Sequence, residues 1–106
     1  MDRTINLGDE QKKESKVFSG RNNGSSLRRR LRLDDYDKED GIATVTIPPE
    51  TFSFNISFFL GLFSDSVRTL GETVFRQKYV FQCTDVIMDN INDGIERAQK
   101  VSEPLF

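Results

Sequence analysis

The stretch from Asn55 to Gly71, NISFFLGLFSDSVRTLG, constrains the fold more than any other part of the chain. Phe59, Leu62, Phe63, Val67 and Leu70 recur at helical spacing, so a helix over residues 58–70 would gather them on one face that must lie on something apolar. Ser57 stands where such a helix needs an N-cap, with a hydroxyl that can accept from a backbone N–H two or three residues on. Gly71 is placed to end the helix in a left-handed conformation. Phe58 and Leu60 fall off the stripe. A helix whose first turns are apolar nearly all round needs cover on its outer side too, either from the preceding ETFSFN with Phe52 and Phe54 or from a partner protein.

Strand signals flank this helix. IATVTI, residues 42–47, is β-branched at five of six positions and apolar on both parities, which predicts a central strand covered on both faces. Pro48 and Pro49 cannot donate to a ladder and should end it. In YVFQC, residues 79–83, Tyr79, Phe81 and Cys83 share one parity, as in a second strand, and ETVFRQK before it reads as a short turn of helix. Ile5 and Leu7 alternate with polar neighbours, as in a short edge strand. Thr84 can cap a last helix in which Ile87, Ile91 and Ile95 repeat every four residues, with a frayed end over 102–106.

The remaining segments are polar. Residues 11–26 are rich in Gly, Ser, Asn and Lys, which predicts a mobile loop over about 11–24, with Ser25 and Ser26 capping a short helix over LRRRLRL. Leu27 and Leu31 share one face of that helix, and Arg28, Arg29, Arg30 and Arg32 fill the rest. DDYDKEDG, residues 34–41, carries five acids against one Lys and reads as an exposed acidic connection outside the core. The whole reads as a single α/β domain over residues 1–106, a mixed sheet with helices packed on it in the order β-α-β-α-β-α.

Composition narrows the function. A chain of 106 residues supports one modest core. A net charge of -2 argues against a whole-surface footprint for nucleic acid or anionic lipid. Cys83 is the only cysteine and there is no His, so intramolecular disulfides, the usual zinc sets and His-based triads cannot be built from this chain. No apolar run approaches the roughly 20 residues that span a bilayer and the amino end lacks a signal-peptide core, so a cytoplasmic protein is expected. Asp34 and Asp35 lie in a solvated segment where nothing would tune one of them as a general acid. SGRNNG, residues 19–24, could bring backbone N–H groups and Arg21 to a phosphate, but it matches neither the P-loop nor the dinucleotide fingerprint. Arg28 and Arg32 could contact phosphate or a partner, although the acidic run beside them cancels much of their field within a Debye length of about 8 Å. The expectation is a non-enzymatic interaction module without cofactor or metal. The alternative is a small nucleic-acid-binding or nucleic-acid-mimicking protein using the Arg28 to Arg32 face or the acidic segment.

IPPETFSFNISFFLGLFSDSVRTLGETVFRQKYVF, residues 47–81, resembles the signature of the STAS-like family of small bacterial domains of unknown function. The likeness lies in the Asn-x-Ser-Phe-Phe-Leu-Gly-Leu-Phe, Ser-Val-Arg-x-Leu-Gly and Phe-Arg-x-Lys-Tyr-x-Phe runs. It implies a compact α/β domain similar to anti-sigma-factor antagonists and a protein partner such as a histidine-kinase-like ATPase; a homodimer is left open by the sequence. The helix starting at Ser57 is then the expected partner surface, through Asn55, Ser57, Phe58, Leu60, Ser64 and Arg68. In STAS domains a Ser or Thr at the start of the helix after a central strand is phosphorylated, and the matching position is Ser57, which lies between Ile56 and Phe58 where the family has an Asp and a small residue.

Overall fold

In chain order the elements are β1 (Arg3–Asn6), β2 (Val17–Phe18), α1 (Arg21–Leu31), α2 (Leu33–Tyr36), β3 (Ala43–Thr46), β4 (Ser53–Phe54), α3 (Ile56–Leu70), α4 (Glu72–Lys78), β5 (Tyr79–Gln82) and α5 (Asp85–Val101). The structure, a computed structural model, describes residues 2–8, 17–18, 20–49 and 53–101. Half of the loop expected over 11–24, residues 11–16 and 19, and the frayed end expected over 102–106 lie outside the described residues; the rest of that expected loop is β2, Gly20 and the start of α1.

The main sheet has the order β1-β3-β5, and both pairs are parallel, with Ile5 opposite Val45 and Val45 opposite Phe81. The sheet is therefore purely parallel, where a mixed one was expected. β2 and β4 form a separate parallel pair, Val17 with Ser53 and Phe18 with Phe54. Both connections within the main sheet advance in the same direction across it. Right-handed crossovers of that kind place their helices on one face.

Burial along the strands agrees with that arrangement. Ile5, Ala43, Val45 and Tyr79 are buried and Phe81 is half-buried, whereas Thr4, Asn6, Val80 and Gln82 are exposed and Thr44 and Thr46 half-buried. β3 is central as expected, but it is covered on one face only. Its alternation of Ala and Val with Thr is the period-2 pattern of a one-sided strand, and the apolar Ile42 and Ile47 that blurred that pattern lie just outside it.

α3 lies at the centre of the helical layer, between α1 and α5. Phe59, Leu62, Phe63 and Val67 are buried on it, as the spacing predicts. Phe63 meets Tyr79, Phe75 and Phe81 with ring centroids 5.0, 5.5 and 5.5 Å apart in edge-to-face contacts. Burying each such ring is worth about 1.5–3 kcal/mol, and each edge-to-face pair roughly 0.5–1.5 more. Phe58 and Leu60 are buried as well. Phe54 packs on Phe58 from the same chain at 5.7 Å between ring centroids, while Phe52 lies outside the described residues.

α1 and α3 touch backbone to backbone. A Cβ at Gly24 would fall 2.2 Å from the Phe58 carbonyl oxygen, and one at Gly61 would fall 2.1 Å from that of Arg21. Only glycine at both positions allows this approach. α1 also begins earlier than expected, at Arg21 after Gly20 with φ of 89°, and Ser25 and Ser26 lie within it instead of capping it. The α3 N-cap is Asn55, whose Oδ1 accepts from the Ser57 backbone N–H at 2.7 Å, so Ser57 is a first-turn residue and not the cap. Gly71 does take a positive φ, 81°, but with an extended ψ of 157° that is not the left-handed helical conformation. Thr84 accepts from Ile87 through Oγ1 and from Met88 through its carbonyl, as expected of the α5 cap.

Candidate functional site

The segment after α1 departs furthest from the sequence reading. α1 ends at Arg32 in the left-handed conformation, φ 57°, which turns the chain into the single turn of α2. Leu33, Tyr36 and Asp37 have i, i+3, i+4 spacing and point inward, so the supposed solvent-exposed acidic run contributes a Tyr and an Asp to the interior.

Asp37 organises a buried polar cluster. Its Oδ2 accepts from Arg28 Nη2 at 2.9 Å and from Ser66 Oγ at 2.6 Å, and its Oδ1 accepts from Tyr79 Oη. Arg28 also donates to Ser66 Oγ, to the Leu62 carbonyl and, through Nε and Nη2, to the exposed Asp34 carboxylate. Burial works against the Arg28 charge, but bonds to Asp37 and Asp34 outweigh it and raise its pKa further. Tyr79 is held well above the phenol range, first by burial and then by its bond to Asp37. Every member is partnered, which is the condition for such a cluster to rigidify a core. The tight Gly24–Gly61 crossing is what brings α1 close enough for Arg28 to reach the Leu62 carbonyl and Ser66.

Beyond Asp37 the chain forms the wall of an open groove of about 300 Å³ at the amino ends of β3 and β5. Asp37, Glu39, Asp40, Gly41 and Ile42 line one side, and Leu70, Val74, Gln77 and Lys78 the other. Lys78 fixes the wall from below. Its Nζ donates to the carbonyls of Glu39 and Gly41 at 2.7 and 3.1 Å and lies 4.1 Å from the Tyr36 ring centroid. Arg3 also stacks on that ring, at 4.3 Å, while donating to the Leu31 carbonyl. Ile42 is held in turn, its N–H to Asp2 and its carbonyl accepting from Arg3.

Four large apolar residues are exposed among the described ones: Ile42 at 49%, Val74 at 46%, Val80 at 43% and Val86 at 71%. Ile42 and Val74 line the groove, and Val80 lies diagonally across the β3–β5 ladder from Ile42 on the open face. Three of the four therefore cluster at one place.

The sequence-based candidates separate. Phe58, Leu60 and Ser64 are buried, with Ser64 accepting from Arg68 at 3.2 Å. Arg68 is ion-paired to Asp65 at 2.7 Å. Asn55 and Ser57 are exposed at the start of α3 and Arg21 is exposed at the start of α1, while Arg32 is exposed at the far end of α1. Arg28 is committed to the interior, which removes it from any phosphate-binding face. Cys83 is half-buried, and burial followed by the Asp85 charge raises its pKa, which keeps it a thiol at neutral pH. Among the described residues no group of His, Cys, Asp and Glu could hold a metal ion, and no helix is long and apolar enough to cross a membrane. Sequence reasoning missed Asp37, Lys78, Ile42 and Val74. The i, i+3, i+4 spacing of Leu33, Tyr36 and Asp37 was the one available signal. The chain matches no protein-family model, no curated protein and no solved structure.

Proposed function

We propose that this chain is a non-enzymatic interaction module that regulates a protein partner by binding it, and that the groove between the 37–42 segment and α4 is the docking surface. The observation that carries the reading is the exposure of Ile42 and Val74 on the lining of one concavity, with Val80 next to Ile42 on the open sheet face. Scattered apolar residues on a surface are ordinary, whereas a cluster beside a polar rim is the usual form of a protein-binding patch. The wall is preformed by Lys78 and Tyr36, so a partner would not have to order it on binding. The likeness to STAS-like domains supports the same class of function, with a histidine-kinase-like ATPase as the kind of partner. Ser57 is exposed in the first turn of α3, where a phosphate would meet the positive end of the helix, roughly 20 Å along α3 from Leu70 in the groove and so outside this docking surface.

Affinity capture from the native host, with wild type and Val74→Asp as baits, tests the reading. Val74 is half exposed, so the variant should stay folded. A protein retained by wild type and lost by Val74→Asp is the expected result. A partner retained equally by both baits would move the interface elsewhere.

A further inference from the structure

We infer that Asp40–Gly41 is a site of spontaneous isoaspartate formation in the folded protein, a slow chemical modification of the groove wall. The inference does not depend on reading the groove as a docking surface. An Asp or Asn followed by Gly is the pair most prone to this reaction, because glycine has no Cβ to hinder its own nitrogen from reaching the preceding side chain. The chain has three such pairs, Asn23–Gly24, Asp40–Gly41 and Asp93–Gly94. In an unfolded chain the Asn pair reacts first, since an amide is a better electrophile than an ionised carboxylate.

The structure inverts that order. Ring closure needs an unbonded nitrogen and a ψ at the Asx residue that a helix does not allow. The Gly24 N–H donates to the Gly20 carbonyl at 3.2 Å in the first turn of α1, and Gly94 lies in the interior of α5, where each N–H is bonded four residues back. Both glycines are also locked by packing on α3. A Cβ at Gly24 would fall 2.2 Å from the Phe58 carbonyl oxygen, and one at Gly94 would fall 2.4 Å from Phe59 Cδ2. Asp40–Gly41 lies between α2 and β3, outside any helix or strand, with Asp40 exposed. Asp40 has an interaction of its own; what sets the pair apart is the Gly41 N–H, which makes no hydrogen bond among the described residues.

In the reaction the Gly41 nitrogen attacks Cγ of Asp40 in its neutral acid form. A C–N bond forms, the C–OH bond breaks, and the hydroxyl leaves with the nitrogen's proton as water. The resulting succinimide takes water back at either carbonyl. Addition at the α carbonyl breaks its bond to the Gly41 nitrogen and leaves the main chain running through Cγ, with no oxidation or reduction and no net change in atoms. The main chain is then longer by one carbon, about 1.5 Å, between two carbonyls that a single ammonium holds. Lys78 Nζ donates to Glu39 and Gly41 at 2.7 and 3.1 Å, on either side of the altered residue. Isomerisation therefore loosens the wall where Lys78 fixes it and displaces Ile42, whose N–H is bonded to Asp2.

The test ages the full chain at neutral pH, folded and in urea, and maps isoaspartate by peptide digestion with electron-transfer fragmentation. The folded protein should accumulate isoaspartate at residue 40 while Asn23 and Asp93 stay unchanged, whereas in urea Asn23 should react first. Asp40→Asn should react several-fold faster, with release of ammonia, and Asp40→Glu should stop the reaction, because its ring would have six members. Gly41 takes a φ of 134°, so a substitution there would add strain. Folded protein in which Asn23 or Asp93 reacts before residue 40, or in which none of the three reacts, overturns the inference. So does an Asp40→Asn variant that stays unchanged while folded.

Discussion

Replacing Arg28 with Met tests whether the buried cluster holds the helical layer together. Met keeps the unbranched apolar stem to about the position of Nε, so the change removes the guanidinium with its charge and hydrogen bonds while most of the volume stays filled. The bond to Asp34 counts for little, because that carboxylate is 77% exposed and water replaces the guanidinium. The Leu62 carbonyl lies inside α3 and loses only a second donor. The main loss is at Asp37, a carboxylate left 3% exposed, which would keep Ser66 and Tyr79 but lose the one cation bonded to it among the described residues. Breaking a buried ion pair from one side costs about 3–5 kcal/mol, and two surviving donors place this case near 3. A domain of this size has about 5–15 kcal/mol in total, so the variant should fold with a urea midpoint lowered by about 1–3 M. The decisive comparison adds Asp37→Asn. In wild type that change takes away the buried counter-ion of Arg28, leaving it the exposed Asp34 carboxylate, and should destabilise, whereas in the Arg28→Met background it removes an uncompensated anion and should restore part of the loss. Urea unfolding of the four proteins by circular dichroism measures the cycle. An Arg28→Met cost below about 1 kcal/mol, or an Asp37→Asn effect of the same sign and size in both backgrounds, would refute the reasoning.

Three other outcomes follow from the same geometry. Gly61→Ala should destabilise by more than about 2 kcal/mol although helix propensity alone would favour Ala by nearly 1, because the new methyl meets the Arg21 carbonyl oxygen at 2.1 Å; a raised thermal midpoint would contradict the close crossing. Asn55→Ala should cost about 0.5–2 kcal/mol and Ser57→Ala no more than about 0.5, and the reverse order in thermal unfolding would return the cap to Ser57. Burial, then the Asp37 bond, keeps Tyr79 protonated in the folded state, whereas the unfolded side chain ionises near pH 10. Its contribution is complete below that pH and declines above it by up to about 1.4 kcal/mol per pH unit, a loss to which Tyr36, raised mainly by burial, adds. Tyr79→Phe should be less stable at neutral pH and show a shallower decline in alkaline urea titrations; parallel curves would contradict the assignment.

Local spacing was sufficient for most of the secondary structure. The stripe from Phe59 to Val67, the isoleucine repeat of α5, the parity of Tyr79 and Phe81, the Thr84 cap and the stop at Pro48 are all written within one or two turns of chain, where steric and periodic rules operate. The central place of β3 agreed with expectation, but the two-sided pattern that suggested it came from Ile42 and Ile47, which lie outside the strand. Which of two adjacent polar residues caps α3 was not legible, because Asn55 and Ser57 satisfy the same rule and only the backbone at the junction of β4 and α3 selects Asn55. Nor could local charge density place the 34–41 segment. Asp37 is buried because Arg28, Ser66 and Tyr79, between 9 and 42 residues away in sequence, converge on it, and a buried carboxylate is tolerated only where such partners meet. The groove depends equally on tertiary structure. Ile42 read as strand core from its own sequence and became surface because the parallel sheet is covered on one face, while Val74 and Lys78 reached it only through the packing of α4 on the end of the sheet. Periodicity determines which side of an element is apolar, but which apolar residues are left uncovered is set by the elements that arrive from far along the chain.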